Sequence, residues 1–467
     1  MRAARGIQED CQEGTGMSRT FFETERLEHV YRPVAERIGD YHEVEVIQEA
    51  DVVCKLASRC QNCGLPFCHA MGCPLQNAIP DINRAVMQGN WREAWTRLAE
   101  TSPFPEFTSR ICPALCEAAC SLEGEAFGAT NVRQIEKKIV ETAFEQGWVE
   151  AQIPQSRNGR KAAIIGAGPA GLAAAVKLNK AGWQVTIYDR NTKPGGLLRY
   201  GIPCFKLDKR VIDRRWKLLE AGGIVFQGNT DVGKDFFGSH LLKHNDAVIV
   251  ANGTPMPRDL KVPGRELDGV CQALELLGCQ NRMNTGEDEI LPIFCTGKKV
   301  LIIGGGDTGN DCGGTAIRQG AASVMSIDLM PRPPIQRSQH TPWPMWPYKL
   351  RGSSSVEEGL ERFWSLNTLR LIGEDGHAVG AEVVPVNWEY DTNGRPARFA
   401  PSGPAHVIDC DMVVLAMGFL KRKREDVLAS LGLPDQDNVL IAGDAATGPS
   451  LVVRAIADGL KCAEALI

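Results

Sequence analysis

Two strand–turn–helix units constrain the fold of this chain more than any other feature. Each unit has a short apolar strand, the glycine pattern G-x-G-x-x-G and a helical stretch. The glycines are Gly166, Gly168 and Gly171 in the first unit and Gly304, Gly306 and Gly309 in the second. The first glycine makes a tight turn, the second lets a pyrophosphate approach the backbone, and the third lets the helix pack on the strand. Because strands and helices alternate around both units, the sequence predicts two Rossmann-like dinucleotide-binding domains.

An acidic residue ends the second strand of each unit. Asp189 stands 23 residues after Gly166, and Asp328 stands 24 residues after Gly304. A carboxylate at this distance is expected to bind ribose hydroxyls, and at Asp328 it would repel a 2′-phosphate. NADH is therefore the favoured donor. The alternative is NADPH, since Arg332 and Arg337 lie just beyond the strand and could bind a phosphate.

The C-terminal segment indicates which nucleotide belongs to which turn. The strand DMVVLAMGF is followed by NVLIAGDAATG and a last helix. This order resembles the closing motif of flavoproteins with two dinucleotide sites, in which the aspartate binds the flavin ribityl chain. By that resemblance Gly443 and Asp444 belong to an FAD site at the first turn, and the second turn binds NAD(P)H. A simple helix N-cap is the alternative role for Asp444.

Sulfur is concentrated in the N-terminal third of the chain. Seven of the sixteen cysteines lie within residues 60–120, at Cys60, Cys63, Cys68, Cys73, Cys112, Cys116 and Cys120. The spacing of the first four would also suit a zinc knuckle. However, Cys73 and Cys112 each precede a proline, as the last cysteine of a ferredoxin run does, and the last three cysteines are spaced as on one helix face. These features favour two [4Fe–4S] clusters over zinc or free thiols.

Composition argues against several classes of function. The chain has 467 residues, of which 43% are hydrophobic, and a net charge of −5, so neither nucleic acid nor an anionic membrane is an expected partner. It contains no apolar run of membrane-spanning length. The N-terminal stretch MRAARGIQEDCQEG lacks the apolar region of a secretory signal. We therefore expect a cytoplasmic protein without a disulfide framework.

Several motifs are similar to those of the small (beta) subunit family of glutamate synthase. They are PGGLLRYGIPCFKLDK, GTPMPRDLKVPG, GGGDTGNDC and PWPMWPYKLR, and they extend the resemblance over nearly the whole chain. Dihydropyrimidine dehydrogenase has the same scaffold. The resemblance implies an α/β fold with an N-terminal helical iron–sulfur domain (1–155), a discontinuous FAD domain (156–295 and 408–467) and an inserted NAD(P)H domain (296–407). It adds Gly196 and Asp307 to the candidate cofactor-binding residues.

The resemblance also implies how the clusters are held. One cluster would have the ligands Cys60, Cys63, Cys68 and Cys120, and the other would have Cys73, Cys112 and Cys116. The eighth ligand would be Glu136, sixteen residues after Cys120, with Cys54 as the alternative. The stretch CHAMGC has one residue more between its cysteines than the family leads us to expect.

The function implied by the resemblance is electron input. NAD(P)H would pass a hydride to N5 of FAD, so no side chain is singled out as catalytic, and the clusters would carry single electrons onward. The acceptor would be a large glutamate synthase subunit with FMN, iron–sulfur and amidotransferase sites, which makes L-glutamate from 2-oxoglutarate and glutamine. The alternative is the electron-input subunit of another flavin/iron–sulfur oxidoreductase, of the ferredoxin-linked transhydrogenase or pyrimidine reductase type.

Overall fold

The structure, a computed structural model, describes residues 20–28, 30–124, 127–288, 290, 292–392 and 394–467. The N-terminal stretch in which no secretory signal is expected lies outside these residues. A helical region is followed by two parallel β-sheets with helices packed against them, which confirms the predicted α/β fold. Within the described ranges, no helix combines the length and the apolar character that crossing a membrane requires.

Short helices make up the region before the first sheet. They are α1 (Thr20–Glu23), α2 (Val34–Arg37), α3 (Ala50–Ser58), a π-helical turn (Cys68–Gly72), α4 (Ile79–Met87), α5 (Trp91–Thr101), α6 (Pro105–Ile111), α7 (Leu115–Ala118) and α8 (Val132–Glu145). Helices α3, α4, α5 and α8 each turn an apolar face inward, and Val53, Ile82, Leu98 and Ile135 meet in one core. The region before the first sheet is thus helical, as the family resemblance implied.

The first sheet contains the first glycine turn. Its strands are β1 (Lys161–Ile165), β2 (Gln184–Tyr188), β3 (Val225–Gln227), β4 (Ala247–Val250) and β14 (Val439–Ile441), all parallel in the order β14-β4-β1-β2-β3. The accompanying helices are α9 (Pro169–Lys180), α10 (Leu197–Tyr200), α11 (Lys209–Ala221), α12 (Ser239–Leu242), α16 (Arg424–Leu431), α17 (Asp444–Thr447) and α18 (Val452–Glu464). Strand β14 comes from the C-terminal segment and therefore completes the sheet on which the first turn stands.

The second sheet contains the second glycine turn. Its strands are β5 (Val270–Gln272), β6 (Lys299–Ile303), β7 (Ser323–Asp328), β8 (Glu361–Trp364) and β13 (Met412–Leu415), parallel in the order β5-β13-β6-β7-β8. Helices α13 (Ala273–Asn284), α14 (Asp307–Arg318) and α15 (Ser354–Glu357) belong to this part. Since β5 and β13 lie outside residues 296–407, the second sheet extends beyond the predicted range on both sides.

A small antiparallel sheet, absent from the prediction, is attached to the second domain. It consists of β9 (Leu366–Glu374), β10 (His377–Tyr390), β11 (Pro396–Pro401) and β12 (His406–Asp409). The long β10 pairs with each of the other three strands. The sheet inserts between β8 and β13, so it lengthens the second domain without changing the order of its parallel strands.

Buried ion pairs join the helical region to the first dinucleotide domain. Arg215 of α11 donates to both carboxylate oxygens of Glu106 in α6, at 2.5 and 3.0 Å. Arg214, also in α11, pairs with Glu141 of α8 at 2.5 Å, and Glu141 in turn pairs with Arg110 of α6 at 2.8 Å. Because α6 ends one residue before Cys112, these pairs fix the position of a predicted cluster ligand relative to the first sheet.

Candidate functional site

The first glycine turn has the geometry of a pyrophosphate site. Gly166 has a φ of +107°, and a Cβ there would overlap the backbone carbonyl of Ala251. A Cβ on Gly171 would overlap the carbonyl oxygen of Gly166, so α9 packs on β1 only because this residue is glycine. By contrast, no atom lies within 4 Å of the Cβ position of Gly168. The turn therefore leaves open space where a dinucleotide phosphate would approach the helix N-terminus.

Asp189 follows β2 and stabilises the first turn. One of its carboxylate oxygens accepts a hydrogen bond from the backbone N–H of Ala167 at 2.7 Å. The other accepts from the backbone and side-chain N–H groups of Asn191 at 2.8 and 2.9 Å. Asp189 is also part of the cavity wall beside this turn. The predicted ribose contact stays a prediction, and the structure adds a role in holding the turn.

Gly196 and Asp444 lie near the same turn. Gly196 has a φ of +51°, and a Cβ on it would come within 2.8 Å of the Gly168 Cα. Asp444 accepts a hydrogen bond from the Ser450 hydroxyl at 2.6 Å, and burial raises the pKa of its carboxyl group. The N-cap of α17 is Gly443, so the alternative that Asp444 is only an N-cap is wrong. Both predicted residues thus line the space next to the first turn.

A single cavity of about 1320 Å³ connects the three parts of the molecule. Its wall includes the first turn and the C-terminal segment, the second glycine-turn helix, and the helical region, represented by Gly168, Asp444, Asp307 and Cys112. This volume exceeds the roughly 300–1,000 Å³ of common small-molecule sites and suits extended nucleotide cofactors. Among the described residues on its wall, the second turn contributes Asp307 but not Asp328 or Arg332, which lie elsewhere.

The second glycine turn repeats the geometry of the first. Gly304 has a φ of +126°, and a Cβ there would overlap the carbonyl of Ala416 in the turn after β13. A Cβ on Gly309 would overlap the Gly304 carbonyl oxygen, whereas the Cβ position of Gly306 faces open space. Asp307 begins α14 directly after this turn. The residues present therefore fit a second dinucleotide.

Asp328 ends β7, as predicted, and is bound to the second turn. One carboxylate oxygen accepts from the backbone N–H of Gly305 at 3.2 Å, and the other accepts from that of Met330 at 3.0 Å. Both oxygens of Asp328 thus have backbone donors, as those of Asp189 do. Binding a ribose hydroxyl would require them to accept a further hydrogen bond.

Two arginines flank Trp364, the residue of β8 that pairs with Asp328 of β7. The guanidinium of Arg332 lies 5.3 Å from the centre of the Trp364 ring, and that of Arg362 lies 5.4 Å from it. Sequence analysis missed Arg362, because only the pairing of β8 with β7 brings it here. The guanidinium of Arg337 instead donates to backbone carbonyls, including that of Ala118 at 3.0 Å, so it is used elsewhere.

An ion pair between Lys206 and Asp311 connects the two dinucleotide domains at the cavity. Lys206 precedes α11 in the first domain, and Asp311 is one turn after Asp307 in α14. Sequence analysis did not single out Asp311. The only available signal was its spacing of four residues from Asp307, which places both carboxylates on one side of the helix.

Four cysteines form an outer thiol group around a second, small cavity. They are Cys60, Cys63, Cys68 and Cys120. Burial, followed by the neighbouring Cys120 and Cys60, raises the pKa of Cys68 to about 12. Cys63 is partly exposed, and its Sγ lies 3.3 Å from the Ser121 hydroxyl. Four thiols in mutual reach, held by short loops, fit the ligand set of an iron–sulfur cluster.

The other three cysteines form an inner thiol group with Glu136. Burial, followed by the charge of Glu136, raises the pKa of Cys73 to about 11, and burial raises that of Cys112 to about 12. Burial and then Glu136 also raise the pKa of Cys116. Glu136 itself is buried, which raises its pKa to about 7, and it accepts a hydrogen bond from Asn77 at 3.0 Å. The structure thus brings together the seven thiols and the carboxylate in the two sets expected from the sequence.

The cysteines at 112, 116 and 120 do not lie on one helix face, so this expectation is wrong. Helix α6 ends at Ile111 because Pro113 cannot continue it, and Ala114 takes a left-handed conformation with a φ of +64°. Helix α7 then lasts only one turn, and Cys120 lies beyond its end. This break allows Cys112 and Cys116 to join the inner group while Cys120 joins the outer one.

The extra residue in CHAMGC is accommodated by the π-helical turn Cys68–Gly72. A π-turn takes up one residue more than an α-turn and is common at functional sites. Gly72 in this turn is packed tightly, since a Cβ there would lie 2.7 Å from the Cys116 Cα. The π-helical turn therefore separates Cys68, which lies in the outer thiol group, from Cys73, which lies in the other group of thiols.

The arrangement of these side chains differs from that of a mononuclear metal site. In the described part of the chain, no three His, Cys, Asp or Glu side chains converge as the ligands of a single ion do. Zinc requires ligands at about 2.0–2.3 Å around one point. A [4Fe–4S] cluster instead takes each of its four cysteine ligands on a separate iron, so its thiols stand further apart.

Comparison with curated proteins identifies the family. The glutamate synthase [NADPH] small chain of Mycobacterium tuberculosis is 43% identical over 455 residues, which cover 93% of this chain and 92% of that protein. The corresponding small chain of Bacillus subtilis is 35% identical and is covered over 96% of its length. The chain belongs to the glutamate synthase small-chain family. The glutamate synthase [NADH] of Saccharomyces cerevisiae is 38% identical over 96% of this chain, but the match covers only 22% of that longer protein.

Two domain families match parts of this glutamate synthase small-chain member. Residues 37–148 match dihydropyrimidine dehydrogenase domain II, 4Fe-4S cluster, and residues 160–341 match the pyridine nucleotide-disulphide oxidoreductases. The chain is thus an NAD(P)H-dependent oxidoreductase whose cofactors are FAD, NAD(P)H and iron–sulfur, which confirms the predicted family, enzyme class and cofactors.

A solved structure supports the same fold. Mycobacterium tuberculosis FprA in complex with NADPH has a TM-score of 0.53 and 19% identity over 66% of this chain and 83% of that chain. At this identity the likeness concerns the fold alone.

Proposed function

We propose that this chain is the electron-input subunit of glutamate synthase, which oxidises NAD(P)H and delivers electrons to a large subunit that makes L-glutamate from 2-oxoglutarate and glutamine. The observation that supports this most strongly is the cavity shared by Gly168, Asp307 and Cys112. One continuous cavity borders the first dinucleotide turn, the helix of the second turn and a thiol of the inner group. An electron path from a nucleotide to a cluster needs this proximity.

The first dinucleotide site is assigned to FAD and the second to NAD(P)H. Gly166, Gly168, Gly171, Asp189, Gly196, Gly443 and Asp444 are the FAD-site residues, and Gly304, Gly306, Asp307, Gly309, Asp328 and Arg332 are the NAD(P)H-site residues. When bound, FAD exchanges a hydride with the nicotinamide and single electrons with iron–sulfur clusters. The chain contributes the open faces at Gly168 and Gly306, where phosphates can approach the backbone.

Two [4Fe–4S] clusters are assigned to the two thiol groups. Glu136 is the eighth ligand in this proposal, because it is buried beside Cys73, Cys112 and Cys116. The rival, Cys54, lies in α3 with its Sγ 3.2 Å from the Val86 carbonyl oxygen, within the apolar core of the helical region. The inner group borders the cavity, and the outer group lies towards the surface.

NADPH is the proposed donor, in place of the NADH that Asp328 favoured in the sequence. Both oxygens of Asp328 already accept backbone hydrogen bonds. Arg332 and Arg362 both lie beside Trp364, one strand away from Asp328. Two guanidinium groups at this end of the sheet favour a 2′-phosphate. The bacterial small chains that resemble this one are named for NADPH.

The large subunit, with its FMN, iron–sulfur and amidotransferase sites, is proposed to bind beside the outer thiol group. Leu65 and Met71 lie next to its cysteines in sequence and are 81% and 64% exposed, and Cys63 is partly exposed. Apolar surface next to a redox centre suits a partner that must approach closely. In the yeast protein, the matching region is part of a polypeptide several times longer. Because cluster ligands must be reduced thiolates, the proposed location is the cytoplasm.

The test separates flavin reduction from electron delivery. Wild type and the Cys112→Ser variant are purified without oxygen, mixed with NADPH, and monitored for bleaching of the flavin absorbance. Both should bleach, but only wild type should support glutamate formation when recombined with the large subunit. Cys462→Ser, in the C-terminal helix away from the thiol groups, is the matched control and should behave as wild type. Full glutamate formation by Cys112→Ser would contradict the proposal.

A further inference from the structure

Residues 331–351, here called the strap, extend from the second dinucleotide domain to the helical region. The strap begins three residues after β7 and contains the motif PWPMWPYKLR. Although it belongs to the nucleotide-binding part of the chain, several of its contacts are with segments that carry the outer cysteines. The electron-input function as described above gives these contacts no role.

Trp343, in the middle of the strap, contacts two of these segments directly. Its indole N–H donates to the backbone carbonyl of Cys120 at 3.0 Å. Its ring lies 4.6 Å from that of Phe67, which immediately precedes Cys68. One side chain therefore touches the backbone at one outer cysteine and the residue adjacent to another.

Two further anchors hold the strap beside Cys120. The guanidinium of Arg337 donates to the Ala118 carbonyl at 3.0 Å and to strap carbonyls at Thr341 and Met345, at 3.3 and 2.5 Å. Lys349 pairs with Glu123 at 3.2 Å. Residues 118–123 are thus bound at three points, and Trp343 is kept against the outer thiol group.

We infer that the strap is a cover for the outer cluster and that Trp343 is its positioning residue. The inference rests on the proposed assignment of a [4Fe–4S] cluster to Cys60, Cys63, Cys68 and Cys120. The indole N–H fixes the peptide that carries the Cys120 thiolate, and the ring packs against Phe67, the residue before Cys68. Partners behind the first ligands orient them and tune a metal centre, and solvent access sets its stability and potential.

The experiment compares how fast the outer and inner clusters are lost. Wild type, Trp343→Leu, Trp343→Phe and the control Tyr348→Phe are purified without oxygen and exposed to air for timed intervals. Tyr348 lies in the same strap, and its hydroxyl donates to the Pro331 carbonyl at 3.5 Å, which is also within the strap. Iron content and the electron paramagnetic resonance spectrum of the reduced protein are recorded at each time. Cys63→Ser and Cys116→Ser provide reference spectra for loss of the outer and the inner cluster.

Trp343→Leu should lose the outer signal roughly 10-fold faster than wild type, the lower end of what losing such a supporting partner costs metal sites. Its inner signal should decay at the wild-type rate. Trp343→Phe keeps the ring contact but not the N–H donor, so its outer-cluster signal should decay at a rate between those of wild type and Trp343→Leu. Tyr348→Phe should match wild type.

Equal outer-cluster lifetimes in Trp343→Leu and wild type would overturn the inference, as would simultaneous loss of both clusters. If Trp343→Leu does not fold, Trp343→Phe decides by the same comparison, and a wild-type lifetime there refutes the positioning role of the N–H. A wild-type protein without iron would instead contradict the cluster assignment itself, so the two failures are distinguishable.

Discussion

Replacing Arg215 with alanine is predicted to weaken the contact between the cluster-bearing helices and the flavin domain. Arg215 donates to both oxygens of Glu106, and the Glu106 side chain is fully buried. In Arg215→Ala this carboxylate would stay buried without its cation. Because an uncompensated buried charge is costly, the free energy of unfolding should fall by about 3–5 kcal/mol.

Urea unfolding of the anaerobic protein, followed by cluster absorbance and circular dichroism, measures this loss. The double variant Glu106→Leu/Arg215→Met removes both charges and should recover most of the lost stability, since apolar replacement of a buried pair is often neutral or stabilising. The matched control is Arg97→Ala. Arg97 pairs with Glu93 at 2.8 Å on an exposed helix face, so its loss should leave the free energy of unfolding nearly unchanged.

Two results would refute this reasoning. If Arg215→Ala loses less than about 1 kcal/mol, the pair behaves as a surface pair and does not carry the cost of a buried charge. If the double variant is less stable than Arg215→Ala, the two hydrogen bonds from Arg215 to Glu106 contribute more to the stability of the interface than neutralisation of the buried carboxylate alone. In the first case the position of Cys112 at the cavity must depend on other contacts.

Three further predictions concern the cofactor sites. Gly168→Val should purify without FAD because its side chain fills the open face of the first turn, whereas Gly147→Ala, on the surface, should keep full flavin absorbance. Arg332→Ala should lower kcat/KM for NADPH about 10-fold or more and leave that for NADH unchanged, since a charge-assisted contact is worth about 1.5–3 kcal/mol; equal effects on both donors would contradict the phosphate role. Iron analysis should find roughly eight iron atoms per wild-type chain and about half of that in Glu136→Ala. If Glu136→Ala keeps all its iron and Cys54→Ser loses half, the eighth ligand is Cys54 and not Glu136.

The two dinucleotide turns could be predicted because their determinants are local. Strand, glycines and helix lie within some twenty residues, and the contacts that require Gly171 and Gly309, with the carbonyls of Gly166 and Gly304, lie inside that stretch. The acids at the ends of β2 and β7 also lie where the spacing predicts. Their backbone partners could not be predicted, because a carboxylate suits a ribose and a turn N–H equally well.

The composition of the second sheet could not be predicted. Strand β13 pairs with β6 and with β5, which lie far apart in sequence, and a four-residue apolar strand fits the interior of either sheet. The local sequence pattern of β13 therefore does not indicate whether the strand belongs to the first or to the second parallel sheet. The same holds for Arg362, whose place beside Trp364 and Arg332 depends on β8 pairing with β7.

The division of the seven cysteines illustrates both the strength and the limit of spacing arguments. Spacing alone placed Cys112, Cys116 and Cys120 on one helix, where all three thiols would point to one site. Pro113 was visible in the sequence as a helix breaker, and the left-handed Ala114 after it is what turns the chain. A continuous helix would have kept Cys120 with Cys112 and Cys116 and away from Cys60, Cys63 and Cys68, with which it lines the small cavity. The break places one thiol group at the cavity and the other towards the surface, which is the order an electron needs to travel from a buried nucleotide to an external partner.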